Sequence, residues 1–471
     1  MTATEPPDPV APSPARPRPA APPPPEAHRF RVLLPAAAGM GALGVGAAWV
    51  LLRLIWLLTN VIFWHRLWAG YAEASAAPWA AGLFPLLPLV GGGLVAGLAI
   101  RYGDQSLGGH GIPEVMEAVL QRQARIPWRV ALLKPLVSAV VIGAGGPFGA
   151  EGPIIQTGAA LGSVAGQLLP LSAAERKVLL ACGAAAGMTG VFGTPLAAVL
   201  LPLELLTFEF SLRALAPVAV AAAVASVLRV PLLGAKPLFS MTTAPGAGAL
   251  GLLWCLGFGL LAALEAIALT RALYGLEDLY GKLPGPAALV RPLMGSVCVG
   301  LVALGGPQVL GVGYNLIRDV LDGTVGVPGL ARILVLKAAG WLLALASGTV
   351  GGVLAPIFLV AGATGALLGH AVAAWSGLTP GLVALVFMAA VFGASSRAVL
   401  TAAIFAVEVT GDFRALPAVL LATAVATAAA ERLLPYNIMT GKLARRGLRF
   451  SLDAYAAGSG SGGPDAGGGR P

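Results

Sequence analysis

Three short segments combine glycine, proline and a following apolar run: Gly109, His110, Gly111, Ile112 and Pro113; Gly149, Ala150, Glu151, Gly152 and Pro153; and Gly352, Val353, Leu354, Ala355 and Pro356. Glycine permits an irregular entry and proline is pre-organised for a first helical turn, so each spacing predicts a helix N-terminus. Such a terminus presents unpaired amide hydrogens and the positive end of the helix dipole, which can hold an anion without a full positive charge. Binding of that moderate strength suits an ion that must also leave. Glu151 stands at the second terminus and is the sole acid between Glu117 and Glu175. Its carboxylate would compete for the same electropositive position as a tethered anion. Protonation, or displacement by a free anion, would swing it out, so passage should depend on pH and on anion concentration. His110, whose imidazole titrates near neutrality, could add a second pH dependence.

These termini need helices that can hold them. Of 471 residues, 57% are hydrophobic and 11% charged, against roughly 25% charged in soluble domains. The mean hydropathy is +0.84. A water-facing surface of this size is not available, which excludes a soluble enzyme and makes the bilayer the natural solvent. Charge-free windows at 32–52, 74–100, 152–174, 178–203 and 237–264 approach or exceed the roughly 20 residues of a membrane span. The stretch 338–396 is also uncharged, but Gly351, Gly352, Pro356, Ser376, Gly377 and Pro380 interrupt it. Broken backbone at membrane depth is tolerated only against protein or a polar cavity, which points to a transport path. Basic clusters at Arg122, Arg125 and Arg129, at Arg176 and Lys177, and at Lys442, Arg445, Arg446 and Arg449 read as cytoplasmic anchors.

The chain also matches itself. At an offset of 203, Arg129, Lys134, Gly145, Gly149, Pro153 and Gly162 meet Arg332, Lys337, Gly348, Gly352, Pro356 and Gly365; Glu204 meets Glu408 at 204. This register predicts a tandem duplication, with the binding site where the repeats meet. The expected organisation is a disordered Pro-rich arm at 1–29, membrane repeats at 30–230 and 231–450, and a flexible Gly/Ser-rich tail at 451–471.

In order along the chain, GHGIPE at 109–114, GAEGP at 149–153, GVLAP at 352–356 and KLARRG at 442–447 resemble the CLC chloride channels and proton-coupled chloride transporters over roughly 30–450. The resemblance implies an all-α, polytopic membrane protein of two inverted repeats. It also implies a homodimer with a chloride pore in each subunit, gated by Glu151, in the plasma or bacterial inner membrane. The candidate anion-binding set is Gly109, His110, Gly111, Ile112, Pro113, Gly149, Gly152, Val353, Leu354 and Ala355. Two departures bear on it. His110 stands where the family commonly has serine, and Met439 falls at the position of its anion-coordinating tyrosine, with Tyr436 about one turn earlier as a replacement hydroxyl. The family's internal proton-transfer glutamate aligns with Leu205, next to Glu204. Leucine carries no proton, so passive conduction of the voltage-gated chloride channel type is expected, with H+/Cl− exchange as the alternative and Glu204 as a possible proton path.

Other classes find little support. A membrane enzyme using Glu151 and His110 would need a nucleophile or metal-ligand cluster, which the sequence lacks; no metal or cofactor is expected beyond chloride as the transported ligand. Gly39, Met40, Gly41, Ala42, Leu43 and Gly44 fit a dinucleotide-binding fingerprint, yet lie in an apolar run with no acid about 20 residues on. They read as close helix packing. Neither nucleotide nor nucleic acid is expected as a partner.

Overall fold

Long uncharged runs in a bilayer have one backbone solution short of a closed barrel, the helix, because only there does every amide find its partner within the segment. The computed structural model, which describes residues 26–241, 248–284 and 286–447, is built in this way. It contains α1 (Glu26–Phe63), α2 (Leu86–Leu98), α3 (Ile112–Gln121), α4 (Trp128–Gly143), α5 (Glu151–Leu168), α6 (Ala173–Phe192), α7 (Pro195–Pro202) and α8 (Leu212–Leu233). There follow α9 (Ala249–Gly281), α10 (Ala287–Ala303), α11 (Tyr314–Leu321), α12 (Val327–Ala346), α13 (Leu354–Ser376), α14 (Pro380–Ser396), α15 (Val399–Thr410), α16 (Leu416–Leu433) and α17 (Gly441–Arg445). Seven helical spans among the described residues are long and apolar enough to cross a membrane. The chain is thus an all-α, multi-pass membrane protein.

Each helix from α1 to α8 has a counterpart eight helices later. α6 packs on α1, α5 and α8; α14 packs on α9, α13 and α16. α2 meets its own counterpart α10, and α7 meets α15. Individual bonds repeat the exchange. Glu204 accepts from the amides of Leu400 (3.1 Å) and Thr401 (2.9 Å), and Glu408 accepts from those of Leu196 (3.0 Å) and Ala197 (2.8 Å). Reciprocal contacts of this kind define a twofold relation. On its axis Gly149 and Gly352 form one antiparallel bridge. The chain crosses that bridge in opposite directions, so α5 and α13 start back to back and the two repeats are inverted.

Burial follows the same symmetry. Every residue of α14 from Gly381 to Ser396 is buried, and α6 is nearly as enclosed; helices apolar all round belong at the centre of a membrane bundle. On α9, Leu253, Leu260 and Leu264 stay more than half exposed, as a lipid-facing surface requires. Gly41 lies within α1 against Ala221 and Val224 of α8, and Gly44 against Ala186 of α6. Both are packing points between helices.

Some expected boundaries move. The arm at 1–29 lies outside the described residues through 25, and α1 already begins at Glu26. The tail at 451–471 lies outside them too. The division after 230 falls in the last turn of α8. The apolar window 237–264 is not helical at its start, since α9 begins at Ala249.

Candidate functional site

The starts of α5 and α13 meet at the bridge, and Glu151 fills the space between them. Its side chain is buried, and Oε1 accepts from the amides of Leu354 (2.5 Å) and Ala355 (3.2 Å), the first two residues of α13. The carboxylate therefore rests on the positive end of α13 while standing in the first turn of α5. Oε2 has no hydrogen-bond partner among the described residues. Two glycines make the room. A Cβ on Gly149 would lie 1.9 Å from Oε2, and one on Gly352 would lie 2.5 Å from Oε1. The three nearest atoms to the first of these all belong to the Glu151 carboxyl group. Gly149→Ala should therefore expel that carboxylate, and anion-flux assays should find its effect non-additive with that of Glu151→Ala, the mark of two changes acting on one contact.

Below this point the chain turns through Gly109, His110 and Gly111 into α3. Gly109 (φ +79°) and Gly111 (φ +91°) hold left-handed conformations that favour glycine. The turn is braced from beneath by Lys134 of α4, fully buried, whose ammonium donates to the carbonyls of Leu107 (2.7 Å) and Gly109 (3.0 Å). Lys337 does the same for the related turn, donating to Val309 (3.2 Å) and Gly311 (2.6 Å). His110 is buried, its Nδ1 without a partner among the described residues, and it lines a cavity of about 270 Å³ with Tyr274, Glu277, Ser347, Ile438 and Lys442. Lys442 pairs with Glu114, and Arg446 and Arg122 pair with Glu117. Arg176 donates to the Gln123 carbonyl at 2.9 Å. Arg122, Arg176, Lys442, Arg445 and Arg446 thus share the face onto which this cavity opens, the cytoplasmic one by the positive-inside rule, while Arg449 lies outside the described residues.

Neither Met439, at the position of the family's tyrosine, nor Tyr436, the replacement hydroxyl, lines this cavity. Met439 is fully buried, its amide donating to Asn437 Oδ1 at 2.9 Å. The Tyr436 ring packs edge-on against Tyr274 at 5.5 Å and borders a different, smaller space beside Arg397 and Asn437. The hydroxyl that the fold does bring to the cavity is that of Tyr274 on α9, which donates to the Ile438 carbonyl at 2.9 Å. Ile112 and Pro113 start α3, and Val353, Leu354 and Ala355 lead into α13, all buried. Gly152 abuts the carbonyl of His110, where a Cβ would come within 2.1 Å.

On the outer side the related turn, Gly311, Val312 and Gly313, puts valine where the first repeat has His110. Beside it lie Tyr314 and Glu73, the latter in the 64–85 connection. Sequence reading passed over both, although Glu73 is the only acid between Glu26 and Asp104. Leu205 is buried, 3% exposed, and both oxygens of Glu204 are engaged at the start of α15.

The comparisons agree with this architecture. Residues 92–431 match the family model described as voltage gated chloride channel. A protein of Ralstonia nicotianae bearing the name of a ClcB-like chloride channel protein is 29% identical over 74% of this chain and 82% of its own. An H+/Cl− exchange transporter ClcA of Cronobacter sakazakii is 28% identical over 74% of this chain and 77% of its own. The structure of a slow cyanobacterial Cl−/H+ antiporter superposes with a TM-score of 0.75 at 23% identity, covering 89% of this chain and 97% of the other. A CLC-type fluoride/proton antiporter gives 0.72 at 24%, over 87% and 97%.

Proposed function

The chain belongs to the voltage gated chloride channel family, whose business is anion transport, and we propose that this member exchanges protons for chloride, with Glu151 serving both ions. The observation that carries the reading is the carboxylate on the α13 amides, with no side chain among the described residues bonded to it. As a carboxylate it occupies the place of an anion; as an acid it loses the charge that holds it there. One group that alternates between these states exchanges a proton for an anion at a single position. The names of the Cronobacter and Yersinia pestis relatives, H+/Cl− exchange transporters, support exchange over passive conduction. Protons would enter from the cytoplasmic cavity that reaches His110.

A second reading, passive chloride conduction, is favoured by one observation: Leu205 offers no proton carrier, and Glu204 beside it is spent on the α15 amides. Purified protein in chloride-loaded liposomes separates the two. Exchange drives protons uphill in fixed ratio to chloride; conduction leaves the proton gradient untouched. Glu204→Ala should cost about 1–2 kcal/mol of stability, as loss of a helix cap does, visible as a lowered melting temperature. It should leave the proton-to-chloride ratio unchanged.

We further read the protein as a homodimer in the plasma or bacterial inner membrane. Glu204 and Glu408 remain half-buried on the α7 and α15 face, and carboxylates at membrane depth need a protein cover. A second copy would supply it.

A further inference from the structure

The exchange reading leaves a polar cluster on the outer side unused. Glu73 is 7% exposed. Its Oε1 accepts from the Asn315 amide (3.0 Å) and the Tyr71 hydroxyl (2.7 Å), and Oε2 accepts from Ser75 (3.4 Å). Tyr71 is 41% exposed, so the cluster reaches the surface. Inward of it stands Tyr314, 5% exposed, its hydroxyl without a hydrogen-bond partner among the described residues. That hydroxyl is near enough to interact electrostatically with both Glu151 and Glu73. Tyr71, Glu73, Ala150 and Tyr314 border a cavity of about 20 Å³, and ~10–15 Å³ suffices for one water molecule. Among the described residues, Glu151 Oε2 and the Tyr314 hydroxyl are both buried without a hydrogen-bond partner, so both are free to take part in a proton transfer.

We propose that Tyr314 relays protons between Glu151 and the outside, with Glu73 as the outer terminus. The inference rests on the reading that Glu151 binds protons. In the outward step, Glu151, its side chain turned off the α13 amides, gives its carboxyl proton to the Tyr314 oxygen. As it does so, the Tyr314 hydroxyl proton passes through one water in the shared cavity to Glu73. Tyr314 ends as it began, Glu151 is left a carboxylate and Glu73 an acid, and one positive charge has moved outward. Glu73 then releases the proton beside Tyr71. The charged groups facing this route are Glu151, Lys337, which interacts with Glu73, and Arg318, whose guanidinium donates to Asn315 Oδ1 at 3.3 Å.

The test is the rate at which chloride flux from proteoliposomes responds to a pH jump on one face at a time, in wild type, Tyr314→Phe and Glu73→Gln. A positioned proton-transfer group contributes about a hundredfold where its step limits the rate. Both variants should therefore slow the response to outer pH at least about tenfold, while the response to inner pH keeps its wild-type rate. Unchanged outer responses in both variants would overturn the relay, as would equal slowing from both faces, which marks a merely structural role. A wild type that moves chloride without protons would overturn the exchange reading alone, since the pH response is read on chloride.

Discussion

Glu151→Gln should abolish proton movement altogether while chloride continues to pass. Glutamine keeps the shape of the side chain but has no titrating proton to deliver, and as a neutral amide it is held only weakly by the amides of Leu354 and Ala355 that now bind the carboxylate. In liposomes, proton uptake should fall to the protein-free background. Chloride efflux should persist and lose its dependence on pH. In the wild type that dependence has a definite sign. Falling pH converts more Glu151 to the acid, which releases it from the α13 terminus and frees the place for an anion, so efflux rises as pH falls. A Glu151→Gln protein that still carried protons uphill would show that another group is the carrier.

Lys134→Met should be the most damaging single change to the fold. The ammonium it removes is fully buried and donates to two carbonyls, those of Leu107 and Gly109. Methionine fills similar volume but leaves both acceptors unpaired, at roughly 1–3 kcal/mol each, so the expected loss is about 2–6 kcal/mol. That is comparable with much of a typical stability margin. Thermal unfolding in detergent measures it. The equivalent Lys337→Met should lower the melting temperature similarly, because it bonds the related carbonyls of Val309 and Gly311. The two should part in function. Lys134 braces the turn that presents His110 to the cytoplasmic cavity, so only Lys134→Met should also weaken chloride affinity from that side. Equal affinity in both variants would remove the first turn from the anion path.

Leucine at 205 removes one proton carrier and no more. Its position speaks against proton transfer along α7, and the engagement of Glu204 with the α15 amides strengthens that. It says nothing about a route through the cavity at His110, which an aligned position could not reveal.

Sequence alone determined the bilayer as solvent, the positions at which helices break, Glu151 as the acid at such a break, and the register of the duplication. Each is written in residue types and their spacing along the chain: in charge-free runs, in glycine and proline at fixed intervals, and in identities that survive at one offset. Tertiary structure alone decided that Tyr274, and not Tyr436, meets the cytoplasmic cavity. It also decided that Glu204 and Glu408 cap one another's repeats and that Glu73 sits on the start of α11. These pairings join residues far apart in the chain, Tyr274 with Ile438, Glu204 with Leu400, Glu73 with Asn315. A hydrogen bond between distant segments depends on where two helices come to lie, and no residue type or spacing along the chain records that.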